Sequence, residues 1–127
     1  MRLDKLTTTL QHALQDAQSQ AVARDNPYIE PAHLILAMLA QPDGPRSLLE
    51  RAGVNAAGLK TAMETAIGGL PQVQGGQVQA GRELLQLLQS AEKEAQLRGD
   101  QFVASEMVLL ALADSKTDLA AVARGHG

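Results

Sequence analysis

Aromatic side chains are almost missing from this chain: Tyr28 and Phe102 are the only two among 127 residues, and tryptophan is absent. Two rings are too few for a base-stacking platform, and a formal charge of −3 leaves no basic stripe for a phosphate backbone. No nucleic-acid partner is expected. Cysteine is also absent, which removes a disulfide framework and a thiol nucleophile and fits a reducing compartment. Long apolar runs are missing as well. The longest, Leu34 to Ala40, falls far short of the roughly 18 residues needed to span a bilayer. Asp4 and Lys5 interrupt the place where a signal peptide would carry its apolar stretch. The expectation is a soluble cytoplasmic protein with no membrane partner.

Catalytic constellations are equally scarce. The histidines His12, His33 and His126 are dispersed, and no H-E-x-x-H or comparable ligand spacing exists. The glycine-rich stretch from Gly68 to Gly76 is not followed by Lys-Ser or Lys-Thr, so it does not form a phosphate-binding loop. Glu30 and His33, three apart at a helix start, read as a capping pair rather than as an acid and base. The sequence predicts no catalytic residue, no metal and no cofactor in this chain, and a function exercised by binding.

What is present is aliphatic: 45% of the residues are hydrophobic, which favours helices packed on Leu, Ala, Val, Ile and Met. A chain of this length forms one domain, residues 1–127, able to bury roughly two thirds of its unfolded surface. It is also an internal repeat. At an offset of 74 positions (91 less 17), Ala17 meets Ala91, Leu10 meets Leu84, Leu14 meets Leu88, Ala21 meets Ala95 and Arg24 meets Arg98. Past the turn, Tyr28 meets Phe102, Ile29 meets Val103, Ala37 meets Ala111 and Gly53 meets Gly127. Most of the shared positions are apolar, so the copies share a packing plan.

Apolar spacing of three and four predicts a long first helix after Thr7, with Leu6 just outside it, and its counterpart over 82–97 after Gly81, stopped at Gly99. A second helix opens at Glu30-Pro31 and stops before Pro42. A third begins at Pro45 and ends at Gly53, and Asn55 caps a fourth through Leu59, Met63 and Ile67. The predicted fold is all-α, a pseudo-twofold tandem repeat of a four-helix unit. The first repeat covers about 1–67, a linker about 68–80, and the second about 81–127. The counterpart of the fourth helix falls beyond Gly127, as if the chain were cut from a longer one.

Several segments in order, "MRLDKLT", "DNPYIEPAHL", "LLERAGVN", "LPQV" and "RGDQFVASE", resemble the N-terminal Clp-N double repeat of the ClpB-type disaggregases, ATP-dependent members of the Clp family. The resemblance covers essentially the whole chain. It implies a module that binds exposed apolar segments of unfolded or aggregated polypeptides. The parent would be a hexameric ring that uses ATP and works with the DnaK chaperone system, while the isolated domain would be a monomer that neither binds nor hydrolyses ATP. The alternative is an adaptor-docking domain, as in the protease-coupled Clp unfoldases.

The resemblance further implies functional weight for a threonine near the start, the aspartate of the Arg-Gly-Asp turn and the glutamate opening the next helix, here Thr7, Asp100 and Glu106. Each also has a local reading: Thr7 as a helix cap, Asp100 as a turn former and Glu106 as a complement to a helix dipole. The repeat separates the copies, because Asp100 stands opposite Asn26, Glu106 opposite Ala32 and Met107 opposite His33. That asymmetry predicts a shallow apolar groove on the second copy beside Asp100 and Glu106, with Leu84, Leu88 and Met107 as its floor. Met suits a surface that must accept many sequences. The two leucines can equally be ordinary core.

Overall fold

The computed structural model describes residues 3–41, 46–51, 53 and 55–114. A short 3-10 turn, Leu3–Lys5, precedes α1 (Thr8–Ala23). There follow β1 (Tyr28–Ile29), α2 (Pro31–Ala40), α3 (Arg46–Arg51), α4 (Ala56–Gly68), β2 (Gln79–Ala80), α5 (Arg82–Leu97) and α6 (Ser105–Asp114).

Helix α1 begins at Thr8 because Thr7 caps it: the Thr7 hydroxyl accepts from the Leu10 N–H at 3.3 Å. Its buried side chains are Leu10, Ala13, Ala17 and Ala21, one stripe of mostly small residues that lets α1 and α2 pack closely. Helix α5 repeats the stripe with Leu84, Leu87, Leu88, Ala91 and Ala95, and packs on α6. Helix α2 is buried on nearly every side, between α1, α4 and α5, which accounts for its unbroken apolar composition. Asn55 caps α4 through its Oδ1, which accepts from Gly58 N–H at 3.0 Å, and Leu59, Met63 and Ile67 close the core from that side. Losing one fully buried leucine such as Leu10 would cost about 2–5 kcal/mol.

The offset of 74 recurs in the backbone. Helices α1 and α5, and likewise α2 and α6, begin and end 74 positions apart. At the close of α1 the Asn26 N–H donates to Ala21 O at 2.9 Å, and at the close of α5 the Asp100 N–H donates to Ala95 O at 2.9 Å. The turn before each is left-handed, at Asp25 (φ +56°) and at Gly99 (φ +74°).

Two short strand pairings join the halves. β1 and β2 run parallel, Tyr28 against Gln79 and Ile29 against Ala80, and Leu6 bridges Val103, also in parallel. The equivalent bonds are Gly81 N–H to Ile29 O at 2.9 Å and Thr7 N–H to Val103 O at 3.0 Å. The segment read from sequence as a bare linker over 68–80 therefore ends in a strand. The start of the third helix at Pro45 and its counterpart after residue 114 lie outside the described residues. Among the described residues no helix is long and apolar enough to cross a membrane.

Candidate functional site

The parallel bridge between Leu6 and Val103 brings the N-terminal turn beside the Arg-Gly-Asp turn that follows α5. Val103 N–H donates to Lys5 O at 2.7 Å, and Thr7 N–H returns to Val103 O. Between them opens a cleft of about 430 Å³, lined by Asp4, Lys5, Glu92, Asp100, Gln101 and Phe102 among others. Its rim carries three carboxylates and one ammonium. The Phe102 ring, 51% exposed, supplies a large apolar surface.

The residues expected from sequence separate into two groups. Asp100 lines the cleft and is exposed; Glu106, also exposed, stands in the first turn of α6 and does not line it. Thr7 reaches the cleft only through its backbone bond to Val103, its side chain being committed to the α1 cap. Leu84, Leu88 and Met107 are 1%, 5% and 9% exposed and belong to the core that packs α5 on α6. An open groove floored by those three side chains is therefore replaced by a buried layer: α5 turns this apolar stripe inward and its polar face outward. Sequence reasoning missed Asp4, Lys5, Glu92 and Phe102 as cleft residues. No sequence signal pairs these segments; once Ile29 is found against Ala80, the repeat puts Leu6 against Val103, because Leu6 and Ala80 are equivalent positions and so are Ile29 and Val103.

The matching corner of the first copy is filled instead of open. Asn26, the counterpart of Asp100, is 2% exposed, and its Nδ2 donates to Pro71 O at 3.0 Å. Asn26 Oδ1 lies 2.9 Å from His33 Nε2, and His33 Nδ1 accepts from the Glu30 N–H at 2.9 Å. That acceptance places the ring proton on Nε2, so His33 donates to Asn26. Burial, and next the nearby Arg24, holds the His33 pKa below the ordinary histidine value. Glu30 is shifted the other way, raised by burial and then by Glu83. Glu30 and His33 thus form a structural cap at the head of α2. A second cleft, of about 530 Å³, lies along α5 between the head of α2 and the end of α6, with Glu83, Lys93 and Glu94 on its polar side. Among the described residues no group of three or more His, Asp or Glu could hold a metal ion.

Comparison with known proteins identifies the family and the fold. The chain is 42% identical over 130 residues to the chaperone protein ClpB of Pseudomonas putida, with all of this chain aligned. It is 38% identical over 124 residues to ClpB of Mycobacterium tuberculosis, covering 95% of this chain. It spans about 15% of the length of either relative. Among solved structures, the Hsp104 N-terminal domain from Candida albicans superposes with a TM-score of 0.83 at 19% identity, covering 97% of this chain and 82% of that one. A complex of the ClpV N-domain with a VipB peptide superposes with a TM-score of 0.74 at 23% identity, covering 98% of this chain and 80% of that one. At these identities the structures speak for the fold. The Clp repeat (R) N-terminal domain family matches residues 5–126, and the chain belongs to that family.

Proposed function

We propose that this domain recruits substrate for a ClpB-type disaggregase, binding exposed apolar segments of unfolded or aggregated polypeptides at the cleft beside Asp100. The observation that carries the reading is the half-exposed Phe102 ring set among carboxylates, in a corner whose first-copy counterpart is closed by Asn26, His33 and Pro71. An aromatic face accepts many apolar side chains, while Asp100 contributes a polar partner at its edge and Glu106 a second carboxylate outside the cleft, on the first turn of α6. Leu84, Leu88 and Met107 contribute as core that holds α5 and α6 together, and Thr7 holds the adjoining turn through its cap. A disordered ligand loses conformational freedom on docking, so binding of one short segment falls at about micromolar or weaker.

In this reading ATP is hydrolysed elsewhere in the parent protein, a hexamer acting in the cytoplasm with the DnaK system, and the isolated domain is a monomer. The alternative, docking of a dedicated adaptor, is favoured by one finding: the related ClpV N-domain was solved with a VipB peptide bound. A titration of the isotopically labelled domain with an unfolded apolar polypeptide, followed by backbone amide shifts, separates the two. Shifts clustered at Asp100–Val103 and Glu106 support substrate recruitment. Silence toward unfolded chain together with tight binding of a folded partner supports adaptor docking.

A further inference from the structure

The connection between α4 and α5 is strapped to the first corner by three polar bonds, one of which leads through Asn26 to a buried histidine. Pro71 O accepts from Asn26 Nδ2 at 3.0 Å, Val73 N–H donates to Asp25 O at 2.7 Å, and Gln79 N–H donates to Pro27 O at 3.2 Å. Asn26 can present its amide nitrogen to Pro71 because its oxygen faces His33 Nε2. His33, with no exposed surface, has its Nδ1 occupied by the Glu30 N–H. The result is a directional chain, from Glu30 N–H to His33 Nδ1, from His33 Nε2–H to Asn26 Oδ1, and from Asn26 Nδ2–H to Pro71 O. The first of these bonds requires the neutral ring, because Nδ1 must offer its lone pair to the Glu30 N–H; the other two depend on the ring holding its place.

We propose that His33 is a proton-sensitive latch that holds the segment 71–80 against the first corner and releases it on acidification. A proton on Nδ1 would face the Glu30 N–H, donor against donor, so the ring must move and Asn26 loses the partner that orients it. The charged and titratable groups around the ring favour this direction of release. Arg24, in the turn after α1, opposes a positive ring, and Asp25 in the same turn is exposed to solvent. Glu30 at the head of α2 shares its surroundings with Glu83 of α5, and burial disfavours the ionised carboxylate that would otherwise offset the charge. In the second copy Met107 stands where His33 does and Asp100 where Asn26 does, so that corner contains no equivalent of the latch.

The test is a pH titration of the whole chain by NMR from pH 7.5 to 5, reading the His33 ring nitrogens together with amide-exchange protection. The expected result is a neutral Nε2–H tautomer at pH 7.5. Protection at Val73 and Gln79 should then fall by up to about tenfold for each pH unit between the ordinary histidine value of 6.5 and the lower His33 midpoint of the folded chain, and level off below that midpoint. Protection within α5 should stay constant over the same range. His33→Gln, which retains an acceptor for the Glu30 N–H and cannot titrate, should remove the pH dependence. An Nδ1–H tautomer, unchanged protection at Val73 and Gln79 once His33 is charged, or loss spread equally over α5 overturns the latch. If His33→Gln does not fold, the tautomer and the segment's response in the unaltered protein decide the matter.

Discussion

Asp25 and Gly99 occupy the same step of two equivalent turns, and the left-handed backbone suits only one of them. Asp25 holds φ at +56°, a region that non-glycine residues enter at a cost, although aspartate is among the more tolerant, whereas Gly99 holds +74° without a Cβ. The Asp25 bond to Val73 uses the backbone carbonyl and survives loss of the side chain. Asp25→Gly should therefore raise stability by about 0.5 kcal/mol, after the added freedom glycine gives the unfolded chain is set against the relief. Gly99→Val should lower it by about 1–2 kcal/mol, since a branched side chain is strained at that φ. Urea denaturation midpoints of the two variants, moving in opposite directions, would check both statements. Asp100 lies one position further on, exposed at the cleft. Asp100→Ala should weaken binding of unfolded polypeptide severalfold while leaving the denaturation midpoint within about 0.5 kcal/mol of the parent.

At the scale of elements, the two copies solve the same junction with different residues. In one junction Thr7 caps α1 and Ala104 stands opposite; in the other Gly81 occupies the cap position of α5 and Glu30 stands opposite. A Cβ at Gly81 would run into Glu30 Oε1 and approach Ile29 O to 3.0 Å, so the large side chain on one side requires glycine on the other. Gly81→Thr alone should cost about 1–3 kcal/mol through overpacking. Combined with Glu30→Ala it reproduces the Thr7–Ala104 junction and should recover at least half of that loss, a coupling that a double-mutant cycle reads directly. The helices themselves are legible from the sequence, because Leu10, Ala13, Ala17 and Ala21 mark one face at helical period and Thr7, Gly81 and Asn55 mark the starts. The strand pairings are not. Two-residue strands carry no period, and Leu6 meets Val103 only through packing of the helices that flank them. For the same reason Asp100 could be named in advance while Phe102, which looks like a packing residue beside buried Val103, could not be seen as a surface. Leu84 and Leu88 fail as surface residues because an apolar stripe on a helix packed against another helix is core by default.

For the whole molecule, the pH profile of stability sets two groups on the first corner against each other. The His33 pKa lies below its ordinary value of 6.5 in the folded state, so the unfolded chain binds the proton more readily; its stabilising contribution is complete above that value and declines as pH falls toward the folded pKa. The Glu30 pKa lies above its ordinary 4.5, so the folded chain holds the proton more tightly; that contribution is complete at low pH and is lost as pH rises through the raised pKa. Stability should therefore decline from pH 7.5 into the range below 6.5 as the His33 contribution fades, with the decline moderated where Glu30 takes up its proton. Glu30→Gln, neutral at every pH and similar in shape, removes the moderating group. Thermal denaturation of that variant should show a gain over the parent at pH 7.5 that shrinks steadily toward pH 4.5. A constant difference between the two across this range would mean that folding does not shift the Glu30 titration, and that its charge has no part in the pH profile of stability.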